Sequence, residues 1–313
     1  MSEDGLAKPA LLRIAVTGSS GLVGTRLAAF LTARGHHVRR VVRRPPDPDA
    51  DEISWDPTTG RIDAAALQET DCLVHLAGDN VAAGRWTQAR KDAIRTSRVA
   101  GTRLLSETLA KLANAPRTLI AASAIGYYGD RGDETLTEGS PPGTGFLADV
   151  CRQWEAATEP AKQAGIRVVN LRIGLVLSAA GGALAKMLTP FKLGLGGVVG
   201  SGRQYLSWIA LDDLVAAVHH LIVTEDVSGP VNAVSPNPVT NREFTKTLGR
   251  VLRRPTILPL PTSIIRLLFG EMGRALLLAG ARVRPTKLQA TGFEFSHPRL
   301  DGALCHELGK TQT

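Results

Sequence analysis

The amino-acid sequence predicts an α/β fold in which a doubly wound parallel sheet carries a smaller, interleaved C-terminal lobe. Two observations lead to this prediction. A strand, a glycine-rich turn and a helix follow one another near the N-terminus, and apolar strand-like segments then alternate with helical ones. Strands that are apolar throughout are typical of parallel sheets, because helices cover both faces of such a sheet. With 313 residues, of which 43% are hydrophobic, the chain can bury the core that this fold needs.

The N-terminal unit consists of an apolar strand at residues 14–17, three glycines spaced G-x-x-G-x-x-G, and a helix at residues 25–34. We expect Gly18 to form the tight turn, Gly21 to let phosphates approach the backbone, and Gly24 to let the helix pack closely on the strand. Free N–H groups at the start of the helix then face an anion, so the unit predicts a site for a dinucleotide pyrophosphate in a Rossmann-type fold. The residues predicted to line it are Gly18, Ser19, Ser20, Gly21, Leu22, Val23 and Gly24.

The segments that follow keep the alternation of strands and helices. Strands are predicted at residues 36–42, 53–55, 72–78, 118–123 and 166–177. Helices are predicted at residues 87–112 and 146–164, separated by a loop rich in glycine, proline and aspartate at residues 126–145.

Beyond residue 180 the alternation weakens. A helix is predicted at residues 212–224, and residues 230–234 are predicted as a strand that returns to the sheet. Glycines are dense at residues 194–202, and because glycine is the least restricted residue we expect this segment to be mobile and to close over a ligand. The predicted domains are a dinucleotide-binding domain at residues 11–178 and a substrate lobe at residues 181–308.

The end of the second strand predicts the choice of cofactor. A site specific for NAD places an Asp or Glu there to hold the ribose hydroxyls, whereas this chain has Arg43 and Arg44. A guanidinium accepts a 2′-phosphate through two hydrogen bonds, so the sequence favours NADP(H) over NAD(H). Arg43 is the better candidate for the phosphate, and Arg44 could stack on the adenine; the alternative is that both are exposed loop arginines.

Composition limits the partners. The formal net charge is +8, but the basic residues are scattered and the signatures of nucleic-acid binding are absent, so we expect no nucleic-acid partner. The three cysteines lie far apart in the sequence, which favours neither a disulfide framework nor a metal site and suggests a reducing, cytoplasmic compartment. No apolar run approaches the length of a membrane span. We expect a small-molecule substrate, with an anion as one option, no membrane partner, and a monomer or homodimer.

Several short motifs are shared with a known superfamily. They are Thr17 with its three glycines, the strand end His75-Leu76-Ala77-Gly78, Ser123 followed by Tyr128-Gly129, and Trp208-Ile209 followed by Asp212-Asp213. This set resembles the extended short-chain dehydrogenase/reductases, which include the nucleotide-sugar epimerases and dehydratases. The resemblance implies that Leu76, Ala77 and Gly78 contact the cofactor.

A second set of segments is similar to an atypical subgroup of that superfamily, the proteins called "epimerase family protein". The segments are Arg85-Trp86-Thr87, Ser97-Arg98-Val99, Trp154-Glu155-Ala156-Ala157, Gly200-Ser201-Gly202 and Lys287-Leu288 with Gly292-Phe293. Arg98 stands where the wider superfamily has an active-site asparagine, and the resemblance implies that it belongs to the cofactor site.

The chain departs from the superfamily at its catalytic pair. That pair is Tyr-x-x-x-Lys, in which the lysine lowers the pKa of the tyrosine that exchanges a proton. None of the three tyrosines is followed by a lysine at this spacing. Aligning the helix on Glu155 places Leu147 at the tyrosine position and Cys151 at the lysine position. Leu147 has no proton to exchange, and a thiol cannot replace a fixed ammonium.

The remaining candidates follow from position. Ser123 ends a strand where the superfamily binds the reacting oxygen of the substrate, and Tyr128 is the nearest hydroxyl that could replace the missing tyrosine; both are catalytic candidates. Trp86 and Arg203 are candidates for substrate binding. His75 lies inside a strand and is expected to be structural, and Cys151 has no neighbouring histidine to activate it.

Two functions remain open from the sequence. The first is an NADP(H)-dependent oxidoreductase or epimerase-like enzyme, with the proton moved by Ser123, Tyr128 or water. The second is an NADP(H)-binding module whose catalytic pair has decayed and whose output is a conformational or partner-binding response. The retained Ser123, Tyr128 and glycine-rich lobe favour the enzyme, whereas the lost Tyr-x-x-x-Lys favours the module.

Overall fold

The structure is a computed structural model that describes residues 11–311. Its strands are β1 Arg13–Thr17, β2 His37–Val42, β3 Glu52–Asp56, β4 Arg61–Ile62, β5 Cys72–His75, β6 Thr118–Ala124, β7 Thr135–Leu136, β8 Arg167–Ile173, β9 Leu175–Leu177, β10 Tyr205–Leu206, β11 Trp208–Ala210, β12 Gly229–Ala233, β13 Val239–Thr240 and β14 Arg282–Val283. Its helices are α1 Leu22–Ala33, α2 Ala64–Leu67, α3 Gln88–Leu109, α4 Phe146–Ala156, α5 Glu159–Gln163, α6 Gly182–Lys192, α7 Leu211–Val223, α8 Asn241–Leu252, α9 Thr262–Gly273, α10 Thr286–Ala290 and α11 Leu300–Glu307.

The central sheet has eight strands in the order β12-β8-β6-β5-β1-β2-β3-β4. All neighbouring strands are parallel except β3 and β4. Chain order reverses at β1, which has β2 on one side and β5 on the other. Ligands in such sheets bind beyond the carboxyl ends of the strands at this reversal. The predicted doubly wound parallel sheet is confirmed, and β12 is the strand predicted to return near residues 230–234.

The sheet is covered on both faces. Along β1, Ile14 and Val16 pack with α1 and α7, whereas Ala15 lies on the opposite face with Leu105 and Leu109 of α3. Successive side chains of a strand point to opposite faces, so a strand that is buried on both sides must be apolar throughout. The unbroken apolar run of β1 is therefore explained by its central place in the sheet.

Two predicted elements are divided in the structure. Residues 166–177 form β8 and β9, because the chain turns at Gly174; a Cβ there would lie 2.5 Å from the carbonyl oxygen of Ser207. Glycine thus lets β9 leave the main sheet and pair with β11. Residues 146–164 form α4 and α5, with Pro160 near the start of α5. Proline lacks the N–H that a continuous helix would need at this position.

The C-terminal lobe has an apolar core of its own. Its buried members include Leu184, Trp208, Phe244 and Leu304. Leu177 of β9 packs in the same core. The predicted domain boundary near residues 178–181 stays a prediction. Within residues 11–311, no helix is long and apolar enough to cross a membrane.

The glycine-rich segment at residues 194–202 is hydrogen-bonded to the loop before α9. The N–H of Leu260 donates to the carbonyl oxygen of Val198 at 2.9 Å. A Cβ at Gly197 would overlap with the carbonyl oxygen of Leu258. Glycine is therefore needed at position 197 for the close approach of two backbones, and the mobility of the segment stays a prediction.

Candidate functional site

The turn between β1 and α1 has the geometry of a phosphate cradle. Gly18 has a positive φ of 67°, and a Cβ on it would lie 2.9 Å from the backbone nitrogen of Ala77. A Cβ on Gly24 would overlap with the carbonyl oxygen of Gly18. Helix α1 starts at Leu22, with Gly21 as its N-cap, no side chain accepting from its first turn and no acidic residue there. The free N–H groups of this turn fit a pyrophosphate.

A buried threonine joins this turn to the end of β5. Thr17 Oγ1 accepts hydrogen bonds from the backbone N–H groups of Leu76 and Ala77 at 3.1 and 3.2 Å. Its own proton is then available for Nδ1 of His75, 2.7 Å away. The predicted cofactor residues at the ends of β1 and β5 are thereby held together, and Gly78 follows directly after them.

His75 extends this link to the helices. It is fully buried, and burial lowers its pKa from 6.5 to about 4, so the ring is neutral. With Nδ1 accepting from Thr17, Nε2 carries the proton and donates to Oγ1 of Thr102 at 3.0 Å. Trp154 of α4 donates to the same oxygen at 2.8 Å. His75 is therefore structural, as the sequence predicts.

The two arginines after β2 differ in their contacts. Arg44 donates to Glu52 Oε1 at 2.6 Å and to the carbonyl oxygen of Pro45 at 2.9 Å. Arg43 is exposed, and its side chain has no hydrogen-bonding or ionic partner among residues 11–311. Arg43 is thus available for a ligand at the predicted adenosine end of the cofactor site, whereas the Arg44 guanidinium is already paired with the carboxylate of Glu52.

Arg98 of α3 lies between β5 and α4. Its guanidinium donates to the carbonyl oxygen of Asp79 at 2.9 Å, and its Cζ lies 5.1 Å from the centre of the Trp154 ring. A Cβ on Gly78 would be 3.4 Å from that Cζ. The cation therefore stands beside the predicted cofactor strand and beside the helix that carries Cys151.

Helix α4 presents Leu147 and Cys151 to the turn after β6. A Cβ on Gly126 would lie 3.4 Å from Leu147 Cβ and 3.7 Å from Cys151 Sγ. Burial raises the pKa of the Cys151 thiol to about 12, so it stays protonated at neutral pH. Leu147 and Cys151 therefore replace neither the tyrosine, which exchanges a proton, nor the lysine, which carries a permanent positive charge.

Ser123 is engaged inside the protein. It is 3% exposed and donates to Glu155 Oε1 at 2.8 Å. Glu155 also forms a two-pronged ion pair with the buried guanidinium of Arg172, at 2.7 and 2.8 Å. Because the Ser123 proton is directed at this carboxylate, the hydroxyl could serve a ligand only as an acceptor or after rotation. The next residue, Ala124, has no hydroxyl.

Tyr128 is also part of this network. It is fully buried, its oxygen accepts from Nη1 of Arg172 at 2.9 Å, and it lies 2.7 Å from Oδ1 of Asn232, to which it donates. Burial raises the pKa of Tyr128. This placement argues against the expected catalytic role, because the hydroxyl is satisfied by protein groups and has no access to a ligand.

The two candidates for substrate binding belong to different parts of the chain. Trp86 is half-buried before α3, donates to the carbonyl oxygen of Val81 at 2.9 Å, and packs edge-on against Phe146 at the start of α4. Arg203 is exposed in the C-terminal lobe, where its backbone N–H donates to Oγ of Ser201 at 3.3 Å. Trp86 thus belongs to the wall beside α4, and Arg203 belongs to the lobe.

Sequence reasoning missed two charged residues of the network. Arg172 lies within the apolar strand β8, and a charge at such a position signals a buried partner. Glu138 is buried and accepts from the backbone N–H groups of Asn232 and Lys287 at 3.1 and 3.2 Å. It lies in the glycine- and proline-rich loop, where no local pattern reveals that it joins the sheet to the C-terminal region.

Comparison with known families gives two matches. A family described as "NAD dependent epimerase/dehydratase family" matches residues 14–234, which include the central sheet except for the first residue of β1, and the predicted cofactor loops. A second description, "Domain of unknown function (DUF1731)", matches residues 260–307, which span α9 to α11.

Relatives and solved structures agree with these matches. An epimerase family protein of Mycobacterium bovis is 47% identical over 291 residues, which cover 93% of this chain and 96% of that protein. Human epimerase family protein SDR39U1 is 36% identical over 296 residues, covering 94% and 98%.

The crystal structure of human SDR39U1 with NADPH has a TM-score of 0.87 at 34% identity, covering 96% of this chain and all of that one. A nucleoside-diphosphate sugar epimerase structure from Corynebacterium glutamicum has a TM-score of 0.81 at 40% identity, covering 97% of this chain and 59% of that one. The chain therefore belongs to the NAD-dependent epimerase/dehydratase family, in the group whose members are named epimerase family protein.

Proposed function

We propose that the protein binds NADP(H) and transfers hydride between this cofactor and a small-molecule substrate. The glycine turn before α1 supports the pyrophosphate site, and the free guanidinium of Arg43 supports recognition of a 2′-phosphate. The similar human protein whose structure was solved with NADPH supports the same cofactor. Ser19 and Ser20 in the turn, with Leu76 and Ala77 beside it, complete the predicted contacts.

The observation that carries the enzymatic part of the proposal is the position of Arg98. In the wider superfamily a lysine on the helix equivalent to α4 supplies a fixed positive charge. Here that position is Cys151, and the guanidinium of Arg98 reaches the same region from α3, beside Gly78 and the Trp154 ring. Arginine keeps its charge at all working pH values. The charge is thus retained although the lysine is lost.

The proton requires a different source. Bound NADPH supplies hydride, and an oxygen that becomes negative beside Arg98 is stabilised by its charge. Ser123 and Tyr128 donate their protons to protein groups, so we assign the proton to water beside Arg98. A small substrate that carries a carbonyl group fits this arrangement, and the charge of Arg98 also fits an anionic group on it.

The test follows the hydride itself. The protein is incubated with pooled carbonyl metabolites and with NADPH that carries deuterium at the transferable C4 position. Mass spectrometry then measures the masses of the products. We expect deuterium in at least one product, and Arg98→Gln should lower the rate at saturating NADPH by about tenfold or more. The matched variant Arg103→Gln, at an exposed position of the same helix, should leave the rate unchanged.

A second candidate function is an NADP(H)-binding module without turnover. The buried, satisfied hydroxyls of Ser123 and Tyr128 favour it. Tight NADPH binding with no deuterium in any product, together with an NADPH-dependent change in hydrogen exchange, would replace the enzyme proposal with this one.

We also propose a reducing compartment for the protein. All three cysteines are unpaired and buried in the part of the chain that the structure describes. This arrangement supports a location in which disulfides do not form.

A further inference from the structure

The C-terminal lobe exposes an apolar surface that no other part of the described chain covers. Its members come from the loop after α6, the loop before α9, and α9 itself. Three of the exposed side chains are strongly accessible: Ile257 at 76%, Leu267 at 74% and Leu193 at 69%. The full set, called the apolar face below, is Leu193, Leu195, Ile257, Leu258, Ile264, Leu267 and Leu268.

The members of the apolar face lie on adjoining backbone. The chain around Gly194 runs beside Pro255, because a Cβ on Gly194 would lie 3.7 Å from that ring. Further along, the N–H of Gly200 donates to the carbonyl oxygen of Leu260 at 2.9 Å. Helix α9 begins two residues later, at Thr262. The two loops therefore adjoin along their backbones, and the second loop leads directly into the helix.

One side of helix α9 is buried, and another side is exposed to solvent. Ile265 is buried in the part of α9 before Gly270, where the backbone leaves the helical conformation, and Met272 is buried beyond that break. Ile264, Leu267 and Leu268 are spaced i, i+3 and i+4, so they share a different face of the helix, and all three are exposed. The helix is fixed in place without these three side chains, which therefore serve no packing purpose within the described chain.

The surroundings of the apolar face are basic. Residues 246–274 contain six lysines and arginines and one acidic residue, Glu271, whose carboxylate is paired with Lys91 at 2.5 Å. The exposed cations next to the apolar face are Lys192, Arg253, Arg254, Arg266 and Arg274. None of these five forms a salt bridge within residues 11–311.

We propose that the apolar face docks on a membrane surface that contains anionic phospholipids. Exposed leucines and isoleucines on a helix and its flanking loops enter the boundary between headgroups and acyl chains, while the surrounding cations attract the lipid phosphates. The protein then lies on the bilayer and does not span it. This proposal revises the expectation from composition that the protein has no membrane partner, because that expectation considered only spanning segments.

Charge favours a membrane over a second copy of the chain. A symmetric dimer brings the same patch of both copies together, so the five cations of one copy would meet the five of the other. A bilayer with anionic headgroups presents the opposite charge to all of them. The proposal does not depend on the cofactor or on catalysis.

The test is flotation with lipid vesicles. The purified protein is mixed either with vesicles of phosphatidylcholine alone or with vesicles that also contain phosphatidylglycerol. We expect binding to the anionic vesicles that weakens with added salt. Both Leu267→Ser/Leu268→Ser and Arg253→Glu/Arg254→Glu should lower the partition coefficient by about tenfold or more. Leu11→Ser, which changes an equally exposed leucine away from the apolar face, should bind like the wild type.

Two further measurements separate the possible outcomes. The melting temperature of each variant checks that the fold is intact, which we expect because the changed side chains are exposed. Failure to float with anionic vesicles, or flotation that the leucine variant does not weaken, would overturn the proposal. A dimer in gel filtration that Leu267→Ser/Leu268→Ser dissociates would also overturn it, because the apolar face would then be an interface between copies.

Discussion

His75 shows how burial fixes the state of a single side chain at this site. Its two ring nitrogens contact Thr17 and Thr102, so each ring position has one assigned partner. Because its pKa is lowered to about 4, a charged His75 is strongly disfavoured in the folded protein. The residue therefore holds the ends of β1 and β5 together and does not exchange protons during a reaction near neutral pH.

This low pKa predicts a loss of stability in acid. In the unfolded chain a histidine titrates near 6.5, so the unfolded state binds the proton first as the pH falls. The stability that His75 contributes is complete above about pH 6.5 and is lost progressively as the pH falls towards 4. Between pH 7 and pH 5 we expect its share of the loss to be about 2 kcal/mol.

Urea unfolding at pH 7 and pH 5 checks this effect. His75→Asn should be less stable at pH 7, and it should lose less stability between the two pH values than the wild type. His219, whose pKa is also lowered to about 4, adds a separate share in both proteins. An equal loss in wild type and variant would contradict the assignment of a neutral, buried His75.

At the scale of elements, α4 and β8 are joined by the ion pair of Glu155 and Arg172. Ser123 of β6 donates a hydrogen bond to Glu155 of this pair. Arg172 also stacks on the ring of Tyr127, with 3.5 Å between its Cζ and the ring centre. Through Tyr128 and Asn232 the same network reaches β12. Four elements that meet at the carboxyl edge of the sheet are thus fixed by one buried pair.

Removal of one partner of this pair should be strongly destabilising. Glu155→Ala leaves the Arg172 guanidinium buried without a counterion, and we expect a loss of about 3–5 kcal/mol in the free energy of unfolding. The control is Asp149→Ala on the same helix, whose exposed pair with Arg152 should contribute less than about 1 kcal/mol. Similar losses for the two variants, measured by urea unfolding, would show that the pair is not the link described here.

The main strands of the sheet can be predicted from the sequence because the patterns that indicate them are local. A few consecutive residues are enough to recognise the apolar run of β1 and the glycine spacing at Gly18, Gly21 and Gly24. The division of residues 166–177 at Gly174 is not, since it arises from contact with Ser207, a residue distant in the sequence. Alternation and glycine spacing thus suffice for the order of the main elements, but not for where the chain leaves the sheet.

The candidate site was predictable in part for the same reason. Arg43 follows a strand whose end is fixed by the fold, so its place at the cofactor edge could be predicted. The orientation of Ser123 and Tyr128 depends on Glu155 and Arg172, which reach them only after folding. Position along the strand therefore predicts that these hydroxyls are near the site, but not that they are buried.

At the scale of the whole molecule, α9 connects the lobe to the dinucleotide-binding half. Arg85 donates to the carbonyl oxygen of Leu267 at 3.2 Å, and Lys91 pairs with Glu271, so the start of α3 is tied to the proposed docking helix. The likeness to the NADPH-bound human structure covers 96% of this chain, which includes both halves. The predicted cofactor site and the apolar face thus lie in two halves that are joined through α3 and α9.

Arg43 should select NADP(H) over NAD(H). Two charge-assisted hydrogen bonds to a 2′-phosphate are worth about 1.5–3 kcal/mol each, so the preference for NADPH over NADH should be at least about tenfold. Calorimetric titration of both cofactors measures it directly. Arg43→Glu should abolish the preference, and Arg103→Glu, the same change on an exposed face of α3, should leave it unchanged. Equal affinity of the wild-type protein for NADPH and NADH would contradict the claim.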